Sequence, residues 1–149
     1  VPEAAVRVCA RRSGYLQEID GDKVLELACR HETVIWLLAR PGDFVLQDRA
    51  MAAVHPPSRD DGAFEERLAG AYVVGTDRTS TQDADFAVQQ LVEVALRALS
   101  PGVNEPFTAI TCIDRLGQGL AGLASRRIPG AIRLRSSSRR CMGGWRGPP

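Results

Sequence analysis

Residues 97–116 read RALSPGVNEPFTAITCIDRL, and this stretch decides the fold. One helical pattern stops at Ser100-Pro101-Gly102 and another starts at once at Asn104-Glu105-Pro106. A residue before proline is biased away from the helical region, which marks Ser100 as a stop. Gly102 is expected to take the left-handed conformation of a helix end. Asn104 is expected to cap the next helix, with Glu105 and Pro106 in its first turn. Upstream, Phe86, Gln90/Leu91, Val94/Ala95 and Ala98/Leu99 recur at helical spacing, predicting a helix over Gln82–Leu99. Ser80 or Thr81 is its expected cap, with Asp83 and Asp85 in the first turn, where negative charge suits the dipole. Downstream, Phe107, Ile110, Ile113, Leu116, Leu120 and Leu123 predict a helix over Pro106–Ala124. The product is a tight helical hairpin whose apolar stripes are expected to face one core.

Working outward, the chain upstream is β-rich. Residues 4–10 and 13–20 read as strands, with Gly14 at a bend. Residues 21–31 read as a short helix capped by Asp22, and TVIWLLA (33–39) as a β-branched strand. RPGD (40–43) is a turn with a mechanism: Pro41 presets φ and Gly42 supplies the positive φ of a type II turn. FVLQ then continues and AMAAV (50–54) is expected to pair back. HPPSRDDG (55–62) carries two successive prolines and reads as a linker. AFEERLAGAYVV (63–74) reads as a helix with Asp61 as its cap. The fold class expected is α+β. A β-rich subdomain with barrel-sandwich-like hairpins (1–54) is followed by a linker (55–62), a helical subdomain (63–124) and a basic tail (125–149).

Composition bounds the function. At 149 residues and 44% hydrophobic, the chain can bury a core. Its net charge of +1 hides a split. From Ser125 onward there are seven Arg and no acid, which leaves −6 on the first 124 residues. The tail's Gly, Pro, Ser and Arg predict disorder. A shifted frame in GC-rich DNA yields the same composition. The four cysteines show no CxxC spacing and no histidine at a ligand interval, which suits a reducing, cytosol-like compartment and argues against zinc. No apolar run approaches the ~18–20 residues needed to span a bilayer. A chain that begins with Val reads as a fragment or as the product of a non-standard start.

Each candidate chemistry has a plainer counterpart. A carrier domain needs a lysine at an exposed hairpin tip, but the one lysine, Lys23, falls at a helix start. A polar corner gathers Arg78, Gln82, Asp83, Ser100, Asn104, Glu105 and Asp114 around the long helix. It offers amides for an anion, carboxylates for a cation, or Asp83 as a general base. The plainer reading is helix capping and pairing across a corner, which this composition favours. Cys112 sits beside an apolar stripe and reads as a buried, inert thiol. His31 reads as a helix-end residue and His55 as linker. GQGLAG (117–122) falls inside a helix, so it is no phosphate loop; its small residues are expected to permit close helix packing. The tail's arginines with Trp145 have the charge to meet RNA or an anionic surface, against an unselected ending.

The run GTDRTSTQDADFAVQQLVEVALRALSPGVNEPFTAITCIDRL, with SGYLQEID and LLARPGDFV before it in order, resembles the bacterial "domain of unknown function 2254" family of predicted membrane proteins. The resemblance covers about residues 11–124, and ALSPGVNEPFTA is its most specific part. It implies transmembrane helices N-terminal to this region, so that the chain is the soluble, cytoplasmic-side C-terminal portion. The family's corner usually carries Asn-Asp-Pro where this chain has Asn104-Glu105-Pro106, which leaves the capping to Asn104. No activity comes with the resemblance. The expected role is ligand sensing, assembly or gating without catalysis or cofactor. The expected partner is the transmembrane portion of the parent protein or a like subunit, with a homo-oligomer as one form and no specific nucleic acid. The alternatives are a hydrolase using Asp83 or Glu105, and binding of nucleic acid or an anionic surface through the tail.

Overall fold

The computed structural model describes residues 1–57, 61–127 and 130–134. Six short strands and two short helices come first, and two long helices follow. The strands are β1 (Val6–Cys9), β2 (Gly14–Ile19), β3 (Val34–Leu37), β4 (Phe44–Val45), β5 (Ala50–His55) and β6 (Tyr72–Gly75). The helices are α1 (Gly21–Arg30), α2 (Asp61–Ala69), α3 (Ala84–Ala98) and α4 (Pro106–Ala124). The α+β class and the helical hairpin of α3 and α4 are as expected.

The strands form two antiparallel three-stranded sheets, ordered β1-β5-β3 and β4-β2-β6. No pairing joins strands that are neighbours in the chain. Val6 faces Val54 and Leu37 faces Ala52, so β5 is the centre of the first sheet; AMAAV pairs with β1 and β3 rather than back onto FVLQ, whose Phe44 and Val45 pair with β2. Tyr15 faces Phe44 on one side and Gly75 on the other, so β2 is the centre of the second. The small residues of β5 let both sheets close on a shared interior. Val8, Leu16, Ile19, Met51, Val54 and Val74 from the strands meet Val24 and Leu27 of α1 and Phe64 and Leu68 of α2. Gly14 sits where β2 and β6 approach; a Cβ there would lie 2.4 Å from the Gly75 carbonyl oxygen.

Several local expectations are corrected. The helix read over 63–74 is α2 followed by a strand: AYVV leaves the helix at Gly70, and β6 completes the second sheet against β2. Alternate burial of Tyr72 and Val74 is a period-two signal that the Ala-rich run before it obscured. The shared core therefore continues past the proline segment to Gly75, and His55 lies in β5, opposite Val34, rather than in a linker. Asp20 caps α1 by accepting from the Lys23 amide (2.9 Å), while Asp22 lies inside the first turn. The helix read from 63 begins at Asp61. The disorder expected of 125–149 concerns a segment of which 128–129 and 135–149 lie outside the described residues.

Candidate functional site

The polar corner is built at the root of α3. Asp83, rather than Ser80 or Thr81, is the N-cap: its Oδ1 accepts from the Phe86 amide at 3.0 Å. Its Oδ2 accepts from Arg78 twice, from Nε at 3.0 Å and Nη2 at 2.6 Å. The guanidinium also donates through Nη1 to Gln89 Oε1 (3.2 Å) and lies 4.9 Å over the Phe86 ring. Only 5% of Asp83 is exposed. Burial works against its ionisation. The Phe86 amide, the Arg78 guanidinium and the charge of Arg40 together outweigh it and hold the carboxyl below its ordinary value.

Two further contacts tie this root to the strands. Gln82 Oε1 accepts from the Ile19 amide at 3.0 Å and its Nε2 donates to the Ile19 carbonyl at 3.2 Å, so one side chain completes the end of β2. The RPGD turn lies against the ion pair. Gly42 has φ +97°, and a Cβ there would come within 2.3 Å of Asp83 Oδ2 and 3.1 Å of Arg78 Nη2. The turn closes through the Asp43 amide onto the Arg40 carbonyl (3.1 Å), and the Gly42 amide donates to Leu16 in β2 (2.8 Å). Glycine is thus required twice at position 42, for its backbone conformation and for the space beside the ion pair.

The other expected residues do not join this cluster. Ser100, Asn104 and Glu105 lie at the far end of α3, about 22 Å away at 1.5 Å per helical residue. There Ser100 Oγ donates to the Arg97 carbonyl (2.7 Å), and the Glu105 amide donates to Ala98 (2.8 Å). The left-handed position is Asn104 (φ +49°), not Gly102. Glu105, not Asn104, occupies the N-cap of α4, and its side chain makes no capping bond there. Asn tolerates the left-handed region better than other non-glycine residues, which uses it for the turn and removes it from capping. Asp114 lies two turns into α4 and is exposed. The seven candidates therefore divide into a joint around the buried Asp83 (Arg78, Gln82, Asp83), a helical turn (Ser100, Asn104, Glu105) and one surface carboxylate.

The sequence reading missed Gly42, Arg40, Phe86 and Gln89. The available signals were RPGD, whose Gly-Asp turn needs a neighbour without steric conflict, and Asp83 three residues before Phe86, the spacing of an N-cap bond. Of the remaining candidates, Cys112 is buried between α3 and α4, and His31 ends α1 with its ring edge-on to Phe64 (4.8 Å). Lys23 lies in α1 and donates to the Gly70 carbonyl (3.1 Å). Gly117, Gly119 and Gly122 are not packing sites among the described residues, none of which comes within 4 Å of where their Cβ atoms would be. Among the described residues no group of three or more His, Cys, Asp or Glu side chains is placed to hold a metal.

The chain belongs to the family described as predicted membrane protein (DUF2254), whose family model matches residues 1–142. The match runs beyond Ala124 into the Arg-rich ending, further than the resemblance of 11–124 read from the sequence. An uncharacterized protein of Mycobacterium bovis and one of Mycobacterium tuberculosis are each 37% identical to this chain over 139 residues. In both cases the aligned part is 89% of this chain and 26% of the relative, so the chain spans about a quarter of the length of the curated relatives it matches. No solved structure matches it. Among the described residues, no helix is long and apolar enough to cross a membrane.

Proposed function

We propose that this chain is a non-catalytic, cytoplasmic-side part of a longer membrane protein, and that its polar corner is a mechanical joint. In this reading the joint couples the β-rich unit to the α3/α4 hairpin, for assembly or gating with the membrane-spanning remainder. The observation that carries it is the engagement of Asp83 on both carboxylate oxygens. One is engaged by Arg78 from the preceding loop and the other by the Phe86 amide in the first turn of α3, and the RPGD turn is packed against them. A general base needs a lone pair free for substrate and a pKa near the working pH. Three accepted bonds occupy most of the Asp83 carboxylate, and the same partners push its pKa down, away from that range. Glu105, the other carboxylate considered for hydrolysis, is exposed and bonds to Thr108 Oγ1 at 3.3 Å, with no second titratable group beside it in these contacts. The free thiols of Cys9, Cys29 and Cys112 suit a reducing compartment.

Hydrogen exchange on Asp83→Asn tests the joint. The coupling reading expects the first turn of α3 and the Gly42 amide to lose protection together, although they lie some forty residues apart in sequence. The pair would loosen most at the ion pair, since Asn keeps the cap and discards the charge. If the two segments kept wild-type protection while a hydrolytic activity of the wild type vanished in the variant, the joint would be an active site instead.

A further inference from the structure

The α3/α4 hairpin buries one stripe and leaves another bare. Ala98 of α3 and Ala109 and Cys112 of α4 are buried, with Ala87, Leu91, Ala95 and Leu116 half-buried around them. This is the seam between the helices. A second stripe on α3 comprises Val88, Val92, Leu96 and Leu99, all exposed, with Leu96 at 65%. On α4 the corresponding stripe is Ile110, Ile113 and Leu120, with Ile113 and Leu120 each at 63%. At roughly 100° per residue, each bare stripe lies about a quarter turn from its own seam, in the same rotational sense. The two helices run antiparallel. Equal offsets in the same sense then place both stripes on one side of the hairpin, as a single two-helix apolar face. None of its residues belongs to the shared core of the strands.

We infer that this face is covered by a second copy of the chain, giving a two-fold four-helix bundle. Size is the first argument. Seven aliphatic side chains exposed to this degree offer on the order of 700 Å² of apolar surface, close to the about 800 Å² per partner of a standard stable interface. That exceeds the ~300–600 Å² of the largest patch on a typical monomer. Shape is the second. The stripe on α4 runs Ile110, Ile113, Gly117, Leu120, Ala124, a 3-4-3-4 spacing that suits helix against helix. Gly117 and Gly122 leave open space beside α4, and Gly117 lies within the stripe, where it allows a partner helix to come close. An identical hairpin has the matching length and a self-complementary face, which a two-fold axis closes without leaving either copy bare. Charge is the third, and it separates a protein partner from a lipid surface. Asp85 and Asp114 stand beside the face, while Arg97 and Arg115 lie on the far side of their helices, so an anionic bilayer would meet carboxylates first. The inference stands on the hairpin's surface alone and holds whether or not the corner is catalytic.

Sedimentation of the 149-residue chain over a concentration series tests it. The expected result is a species of twice the 16.1 kDa chain mass. In Ile113→Glu and in Leu120→Glu the mass should fall to that of one chain with helical circular dichroism unchanged, because both side chains are exposed within the chain. A wild type that is monomeric throughout would overturn the inference, as would a dimer that survives both substitutions and so forms through another surface. Flotation with vesicles of neutral and anionic lipid separates the remaining source: a monomer that floats with them would make lipid the occupant and overturn the second copy.

Discussion

The β-rich unit and the α3/α4 hairpin draw on the same side chains and use them differently. Phe64 is 2% exposed, packed beneath two sheets; Phe107 opens α4 at 81% exposed. In the first region, short strands of two to six residues feed a core shared among eight elements, while Val34, Leu37, Phe44 and Val73 stay exposed on the outer faces. In the second, two long helices carry more apolar positions than their mutual seam can cover. A pair of helices buries one stripe each, and the rest must meet something else. The difference teaches that the β-rich unit is folded by its own interior, while the hairpin is a stable shape with unfinished packing.

The largest effect that would test this contrast is a matched pair of truncations. Phe64→Ala should cost about 3–5 kcal/mol, the range for emptying a packed aromatic site. Phe107→Ala should change stability by no more than about 0.5 kcal/mol, as exposed substitutions do. Urea denaturation at a concentration where the chain does not self-associate reads both. Equal losses would mean that Phe107 is held in a core of its own, and the two regions would not differ as described.

A smaller effect sharpens the account of the first region. Tyr72 in β6 is buried, and its hydroxyl has no hydrogen-bond partner among the described residues. Burial pushes its pKa up to about 12. The folded chain therefore holds the phenol proton above pH 10, where the unfolded chain has begun to lose it. Stability is intact below pH 10 and falls as pH rises from 10 toward 12, by about 2–3 kcal/mol at 1.4 kcal/mol per unit. Tyr72→Phe should remove this slope, and the difference between the two denaturation profiles isolates it. Parallel profiles for the two proteins would show that the phenol titrates freely and that β6 is not a sealed core strand.

How much of this was legible in the sequence follows the same division. The hairpin was readable in its helices, because helical periodicity is local and α4 is long: Pro106 and Ala124 bound it as expected. Of the stripe read as its core face, however, Phe107, Ile110, Ile113, Leu120 and Leu123 are exposed, and Ala109 and Cys112 fill the seam instead. β6 was not, because four residues of strand after an Ala-rich helix differ from one more helical turn only through pairing with β2, sixty residues earlier. The corner was half legible. Asp83 and Gln82 stand out as helix-start residues, but their partners at Ile19 and Gly42 come from segments that only the sheet brings near. Which residue caps and which bends was also hidden at the turn. Asn104 suits both roles, and only the path of the chain from Ala98 to Glu105 decides between them.

The smallest effect concerns the hairpin alone. Gly122 lies near the end of α4, away from the bare stripe, with none of the described residues within 4 Å of its missing Cβ. Glycine inside a helix is worse than alanine by about 0.8–1 kcal/mol, because the unfolded chain has more freedom to lose and the backbone stays more exposed. Gly122→Ala should therefore stabilise α4 by up to about 1 kcal/mol without a steric conflict. The comparison between the regions decides where that gain appears. If the hairpin and the β-rich unit open separately, exchange should slow in α4 and stay unchanged in β2 and β5. If slowing spread equally to β2 and β5, the Gln82–Ile19 and Asp83–Gly42 contacts would transmit stability through the whole chain, and the two regions would be one cooperative unit joined at that corner.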